Sequence, residues 1–474
     1  MTRSLTGTES VWAALGGDPA RLSRVSVVER DGALDARLPV RELARACVGA
    51  CALAGAELAA RRTGGEVPAV WVDDAAVATA FTSERHLSVD GRAPVNFAPM
   101  SRFWRTGDGW VRTHANYPHH RARLLGALGL SGDVPVETVA AVIARRSAAE
   151  VEDAVYAAGG LAVALRTAGE WAGHAQGAAV AGRPLLSREW IGDGPVRPLG
   201  PLTGAPLLPA SGVRVLDLTR VLAGPVAGRS LALLGADVLR VDSPGLPELP
   251  DQHTDTGFGK RSTTLDLAAR EDRRTFEELL ATADVVLSGY RPGALDRFGL
   301  APEALAERRP GLVIAQLSAW GAYGPWAERR GFDSLVQVAT GIAATEGTAE
   351  RPGALPAQAL DHGTGYLLAA AVLRSLTEGT ERGGTRLVRA ALTQTAAWLT
   401  GGLRAAPDGT AAAAGPGGAR SGPGQEEDAL LAETDSDLGR LRYALPPVRF
   451  ADGPRTWSRP PSRWGGDAPR WATS

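Results

Sequence analysis

From residue 213 onward the chain alternates short apolar runs with helix-patterned stretches, and this alternation constrains the fold more than any other feature. Residues 213–218 (VRVLDL) read as a strand, 226–234 as a helix and 236–242 as a second strand. A short extended piece follows at 262–267, then a helix at 270–281 and a strand at 285–288. Pro302 opens a helix at 302–308, and 312–318 is a further strand. A long helix covers 362–376, with a strand and helix over 385–399. Strands separated by helices pair in parallel and bury both faces, so the expected fold class is α/β. The expectation is a Rossmann-like parallel sheet domain over 210–405, with a smaller α+β region at 99–200. Residues 406–428 (Gly/Ala/Pro-rich) read as a flexible linker and 429–474 as a C-terminal arm.

Residues 1–98 read as a partial repeat, the alternative being that two Ala-rich helices look alike through composition alone. "LPVRELARACVGACALAGAELAARR…VWVDDAAVATAF" from Leu38 runs parallel to "LPAQALDHGTGYLLAAAVLRSL…RLVRAALTQTAAWL" from Leu355. Each has Leu-Pro, an Ala-rich helix, a strand and a second helix.

Charge and cysteine content narrow the function classes. With 51 basic and 52 acidic residues the net charge is -1, which offers no footprint for nucleic acid. No uninterrupted apolar stretch approaches the length of a membrane span, and MTRSLTGTES lacks a signal-peptide core, so a cytoplasmic chain without a membrane partner is expected. Cys47 and Cys51, four apart, make neither a disulfide framework nor a four-ligand zinc site, and no metal is expected.

Four segments hold residues suited to chemistry. Asp217–Pro225 (DLTRVLAGP, 217–225) places a small-residue turn between a strand and a helix N-terminus, where open α/β sheets bind ligands; the alternative is a structural turn. GFGKRS (257–262) joins two glycines to Lys260, the single lysine of the chain, and Arg261, a combination suited to phosphate or to a solvated loop. GYRPGALDRFGL (289–300) sets Arg291 and Arg297 beside Tyr290, for a purine and phosphates or for solvent. Asp361 opens a long apolar helix, as an N-cap or as a nucleophile facing a slot. His114, His119 and His120 lack the neighbouring ligands of a metal site and read as a loop.

In this order and spacing, these segments resemble the class III (CaiB/BaiF-like) CoA-transferase family, which includes formyl-CoA and carnitine CoA-transferases and the related 2-methylacyl-CoA racemases. The resemblance runs from residue 213 to about 403 through VLDLTRVLAGP, LLGADVLRVDSPG, GKRSTTLDL, ADVVLSGYRPGALDRFGL and the helix opened by Asp361. It implies a catalytic Asp361. It also implies coenzyme A contacts at Val221, Leu222, Ala223 and Ser243, at Gly257, Phe258, Gly259 and Lys260, at Gly289, Tyr290, Arg291 and Arg297, and at Arg330, Gly331, Phe332 and Asp333.

The implied reaction moves CoA from an acyl-CoA to a carboxylic acid through aspartyl anhydride and thioester intermediates. Coenzyme A would enter as acyl-CoA co-substrate, and the chain would form a homodimer. Racemases of the group use an Asp and a His, and the His position falls on Phe332, which transfers no proton. Transferase is therefore the leading reading, with racemase or a non-catalytic acyl-CoA-binding protein as alternatives. The domain order departs from the family's: segments 103–130 and 151–171, which resemble its small domain, stand before the sheet. In the N-terminal repeat the aspartate position falls on Ala44 or Arg45.

Overall fold

The computed structural model describes residues 5–95, 97–348, 350–403 and 429–472; the linker expected at 406–428 lies outside them. Its centre is a seven-stranded sheet in the order Arg261–Thr264, Asp237–Asp242, Arg214–Leu218, Val285–Ser288, Val313–Ser318, Thr385–Ala391 and Leu186–Gly192. The first six strands are parallel. Alternate side chains point to opposite faces. Val215, Val285, Val313 and Val388 join the core that includes both long helices, whereas Leu216, Val286 and Ile314 pack on the other face with Phe276, Leu279 and Leu305. A sheet covered on both sides needs such continuous apolar runs, and the sequence supplies them.

The seventh strand corrects the expected boundary. Leu186–Gly192 falls in the stretch assigned to the smaller region, yet it pairs antiparallel with Thr385–Ala391 and is the edge strand on that side. The smaller region has a sheet of its own: strands Phe103–Arg105, Trp110–Thr113 and Ala162–Ala164 pair antiparallel. Its own core holds Trp104, Val111, Leu124, Ile143, Val151 and Val155.

The N-terminal region repeats the back of the large sheet. Val25–Val28, helix Val40–Thr63, strand Val70–Asp73 and helix Asp74–Phe81 follow the order of Val313–Ser318, Ala359–Arg382, Thr385–Ala391 and Leu392–Ala397. In each copy the two strands pair in parallel. Each copy also gains an antiparallel third strand, Arg449–Phe450 in the first and Leu186–Gly192 in the second. The two 24-residue helices pack against each other. A Cβ on Gly363 would meet Leu43 Cδ2 at 2.8 Å, and one on Gly365 would meet the Ala223 carbonyl at 2.5 Å. Glycine there permits the approach. By length and composition alone Val40–Thr63 suffices to cross a membrane, but 89% of its most apolar stretch is buried inside the protein.

The arm laces the parts together. Strands Leu431–Ser436 and Gly439–Ala444 form a hairpin whose second strand pairs with Ser88–Val89. Beyond Arg449–Phe450 the chain reaches the far edge of the large sheet. There Ser262 N donates to Asp467 (2.8 Å), Trp464 Nε1 to Asp242 (3.0 Å) and Trp471 Nε1 to the Leu279 carbonyl (3.2 Å).

Candidate functional site

Strand Arg214–Leu218 ends in a turn held in a conformation that its sequence disfavours. Val221 has φ 70°, a left-handed backbone that costs a β-branched residue about 1–3 kcal/mol. Tertiary contacts fix it: Val221 N donates to Glu248 (3.0 Å), which also accepts from Arg240 (2.9 Å) and from the Tyr117 hydroxyl. Burial pushes the Glu248 carboxyl up, but Arg240, Arg220 and Tyr117 outweigh it and hold Glu248 below its ordinary range. Only glycine fits at 224, where a Cβ would meet Thr219 Cβ at 2.4 Å. Helix Ala223–Leu233 therefore begins hard against the strand end, at the position where parallel sheets offer free amides to ligands.

This turn borders a cleft of about 740 Å³. Val221, Leu222, Ala223, Ser243, Gly289, Tyr290, Arg291, Arg297, Arg330, Gly331 and Phe332 all line it, and so does Asp361. They come from loops after different strands of one sheet, and the parallel topology gathers those loops at one end.

Asp361 is the third residue of helix Ala359–Arg382 and is 7% exposed. It is not the cap, since Gln358 holds that position. Its own backbone N–H and that of Leu360 donate to Asp333 (3.1 and 2.9 Å), so a second carboxylate neutralises the helix start. The Asp361 side chain accepts no hydrogen bond among the described residues and faces the cleft. Burial, then the nearby Asp333 and Glu84 charges, raise it well above the ordinary carboxylate range. Asp333 itself is pushed up to about 6 by burial, against the pull of its amide and Gln337 hydrogen bonds.

Elsewhere in the cleft arginines outnumber acids: Arg123, Arg220, Arg291, Arg297, Arg329 and Arg330 stand against Asp242 and Asp266. Arg291, Arg297 and Arg330 have no ion pair among the described residues. Burial, then the Arg123 and Arg291 charges, lowers Arg330. Unpaired arginines in a concave site favour a multiply charged anion.

Five expected contacts are elsewhere. Gly257, Phe258, Gly259 and Lys260 do not line the cleft. Phe258 packs on Tyr443 and Trp457, and a Cβ on Gly259 would meet Trp457 at 2.8 Å. Lys260 is buried beneath helix Ala223–Leu233, where Nζ donates to Asp217 (2.8 Å) and the Pro225 carbonyl (2.9 Å). Burial lowers it to about 8, with Asp217 opposing. The lone lysine is thus a strut under the turn and is not part of the cleft lining. Asp333, the fifth, is spent on the helix start.

Other residues of the cleft are not among the expected contacts. Tyr117, His119, His120 and Arg123 line it from the N-terminal half, with Arg220, Arg329 and residues 265–268. His114 stacks on Phe332 with ring centroids 3.7 Å apart, and His120 lies edge-on to the same ring at 5.9 Å. Burial pushes His120 down to about 3, so its imidazole is neutral. The signal was the HHRAR run at 119–123, set aside above as a loop.

Comparison with known proteins gives the same direction. The model of CoA-transferase family III matches residues 210–461, more than half of the chain. A probable fatty acyl-CoA transferase of Mycobacterium tuberculosis is 37% identical over 211 residues, covering 42% of this chain and 54% of that protein. A formyl-CoA:oxalate CoA-transferase of Rhodopseudomonas palustris is 34% identical over 194 residues, covering 38% of this chain and 45% of that one. The solved structure of a CAIB/BAIF family protein from Brucella suis is 30% identical, covers 41% of this chain and 56% of its own, and gives a TM-score of 0.37. The chain spans about half the length of the curated relatives it matches.

Proposed function

Because the chain belongs to CoA-transferase family III, we propose that it moves coenzyme A from an acyl-CoA thioester to a carboxylic acid, with Asp361 as nucleophile. One observation carries this reading: a carboxyl without a hydrogen-bonding partner and a group of unpaired guanidinium groups share one cleft. Arg291, Arg297 and Arg330 bind the phosphates, and that remote binding positions the thioester at Asp361.

An Asp361 oxygen attacks the thioester carbonyl, the C–S bond breaks, and CoA leaves as thiolate from a mixed anhydride. The thiolate then attacks the aspartyl carbonyl, releasing the first acid and leaving an aspartyl-CoA thioester. The acceptor carboxylate displaces the thiolate to form a second anhydride. Attack of the thiolate on the acceptor's carbonyl yields the new acyl-CoA and restores Asp361. Only the ionised carboxyl attacks, so a buried Asp361 makes the reaction faster as pH rises.

The test is mass spectrometry of the Asp361 peptide after incubation with mixed acyl-CoAs and hydroxylamine. A hydroxamate on Asp361 supports the reading. CoA binding with an unmodified peptide overturns it and leaves a non-catalytic acyl-CoA-binding protein. Exchange of the acyl α-proton is a second reading, favoured by the neutral His120 in the cleft beside Phe332. Deuterium incorporation at the α-carbon, without an Asp361 adduct, selects it.

A further inference from the structure

Residues 329–333 (RRGFD) serve the site at two points: Arg330 lines the cleft, and Asp333 accepts from the backbone N–H groups of Leu360 and Asp361. Residues 329–332 belong to no helix or strand, so no ladder of their own fixes where the Arg330 side chain leaves the backbone. Gly331 narrows the path, because a Cβ there would meet Ala319 Cβ and Trp320 Nε1, each at 2.6 Å. Phe332 is held by its stack on His114, which follows strand Trp110–Thr113 of the smaller region.

The same region grips the two arginines. Glu152 and Tyr156 stand four residues apart on helix Ala148–Ala157 and so share a face. Neither lines the cleft. The Tyr156 hydroxyl donates to the Arg330 carbonyl (3.0 Å), which also accepts from Trp320 Nε1 (3.1 Å). Both lone pairs of that carbonyl are thus taken, and the peptide plane is held against rotation. Glu152, 3% exposed, accepts from Arg329 (3.2 Å), while bonds from Arg166 (2.9 Å) and the Ala164 N–H (2.8 Å) tie it to its own sheet. The Arg329 guanidinium lies over the rings of Tyr156 and Trp326, 4.4 and 4.6 Å from their centroids. One helix face therefore fixes Arg329 by its side chain and Arg330 by its backbone. The Arg330 guanidinium is left on the cleft without an ion pair among the described residues.

We propose that Tyr156, supported by Glu152, is a positioning residue that aims Arg330 at a phosphate of coenzyme A. It acts through the Arg330 carbonyl and touches neither the ligand nor the reacting atoms. This gives the smaller region a task in ligand binding, and it rests on the assignment of Arg330 to phosphate made above.

The test is a double-mutant cycle on the full chain, read as CoA affinity by isothermal titration calorimetry. Arg330→Gln is expected to weaken CoA by at least about tenfold. Tyr156→Phe keeps the ring over Arg329 and loses only the hydroxyl, and is expected to weaken CoA by about three- to tenfold. Added to Arg330→Gln, it should weaken CoA no further, within about twofold, because the residue it aims is gone. Glu152→Gln, which keeps shape and removes charge, should show the same dependence on Arg330. Parental affinity in Tyr156→Phe overturns the proposal. So do losses that multiply in the double variant, since a purely structural role would act whatever stands at 330. If Arg330→Gln itself binds CoA like the parent, the phosphate assignment falls and the positioning role with it. If Arg330→Gln is weak and Tyr156→Phe is not, the positioning role falls alone.

Discussion

The same strand–helix–strand–helix unit occurs twice in this molecule, and the copies differ at the start of the long helix. In the second copy Asp361 stands without a hydrogen-bonding partner on an open cleft. Aligned on their Leu-Pro pairs, the first copy has Ala44 at that place, fully buried. The next residue, Arg45, grips the buried Asp74 through two hydrogen bonds (3.0 and 2.7 Å). What one copy leaves open, the other closes with an ion pair. The sheets differ likewise: Val313–Ser318 and Thr385–Ala391 are covered on both faces, whereas Trp71 and Val28 in the first copy are 45% and 41% exposed. Fold is thus shared while the site is not, and an unsatisfied polar group is what separates them.

The largest effect expected of this contrast is all-or-none. Asp361→Asn should abolish the hydroxamate adduct, and Ala44→Asp added to it should not restore one, as peptide mass spectrometry would show. An adduct at residue 44 would erase the distinction between the copies. Next in size, Arg45→Leu should cost about 3–5 kcal/mol by leaving Asp74 charged and buried, and Arg45→Leu with Asp74→Leu should recover most of it in urea melts. If the single and double variants are equally unstable, packing rather than charge closes the first copy.

Smaller again, Gly365→Ala should cost about 1–3 kcal/mol by pushing the Ala359–Arg382 helix off the Ala223 turn, and CoA affinity should fall with it. Gly64→Ala, at the end of the first long helix, should destabilise through its left-handed backbone without touching CoA binding. The smallest effect is in pH. Folded Asp361 holds its proton more tightly than the unfolded chain does. Its contribution to stability is therefore complete below the ordinary carboxylate range near about pH 4 and is lost as pH rises through the folded value. Asp361→Asn should accordingly match the parent's melting temperature near pH 4 and exceed it at neutral pH, as thermal melts at the two pH values would show.

How far the sequence disclosed all this follows from the range of the interactions involved. The strands of the large sheet and the Val221–Ala223 turn were legible because apolar runs and turn residues act locally. Lys260 misled, since adjacency to glycines says nothing of the helix that covers it. Asp333 did so too, because its partners are the amides at 360 and 361, on a different element. His119 and His120 reach the cleft only through packing of the N-terminal half against the sheet, and no local pattern encodes that. The Leu186–Gly192 strand was assigned to its neighbours in sequence although its partner lies at 385–391.

The lacing arm has a consequence for how this chain reaches its native state. Arg449 pairs with Trp71, and Asp467 with Ser262, contacts that span most of the chain in one case and nearly half of it in the other. Closing loops of that length slows folding far more than it weakens the final structure. Synthesised from its N-terminus, the first copy waits for its third strand until nearly everything else has emerged. A slow refolding phase that disappears when residues 429–472 are deleted would mark docking of the arm as the slow step.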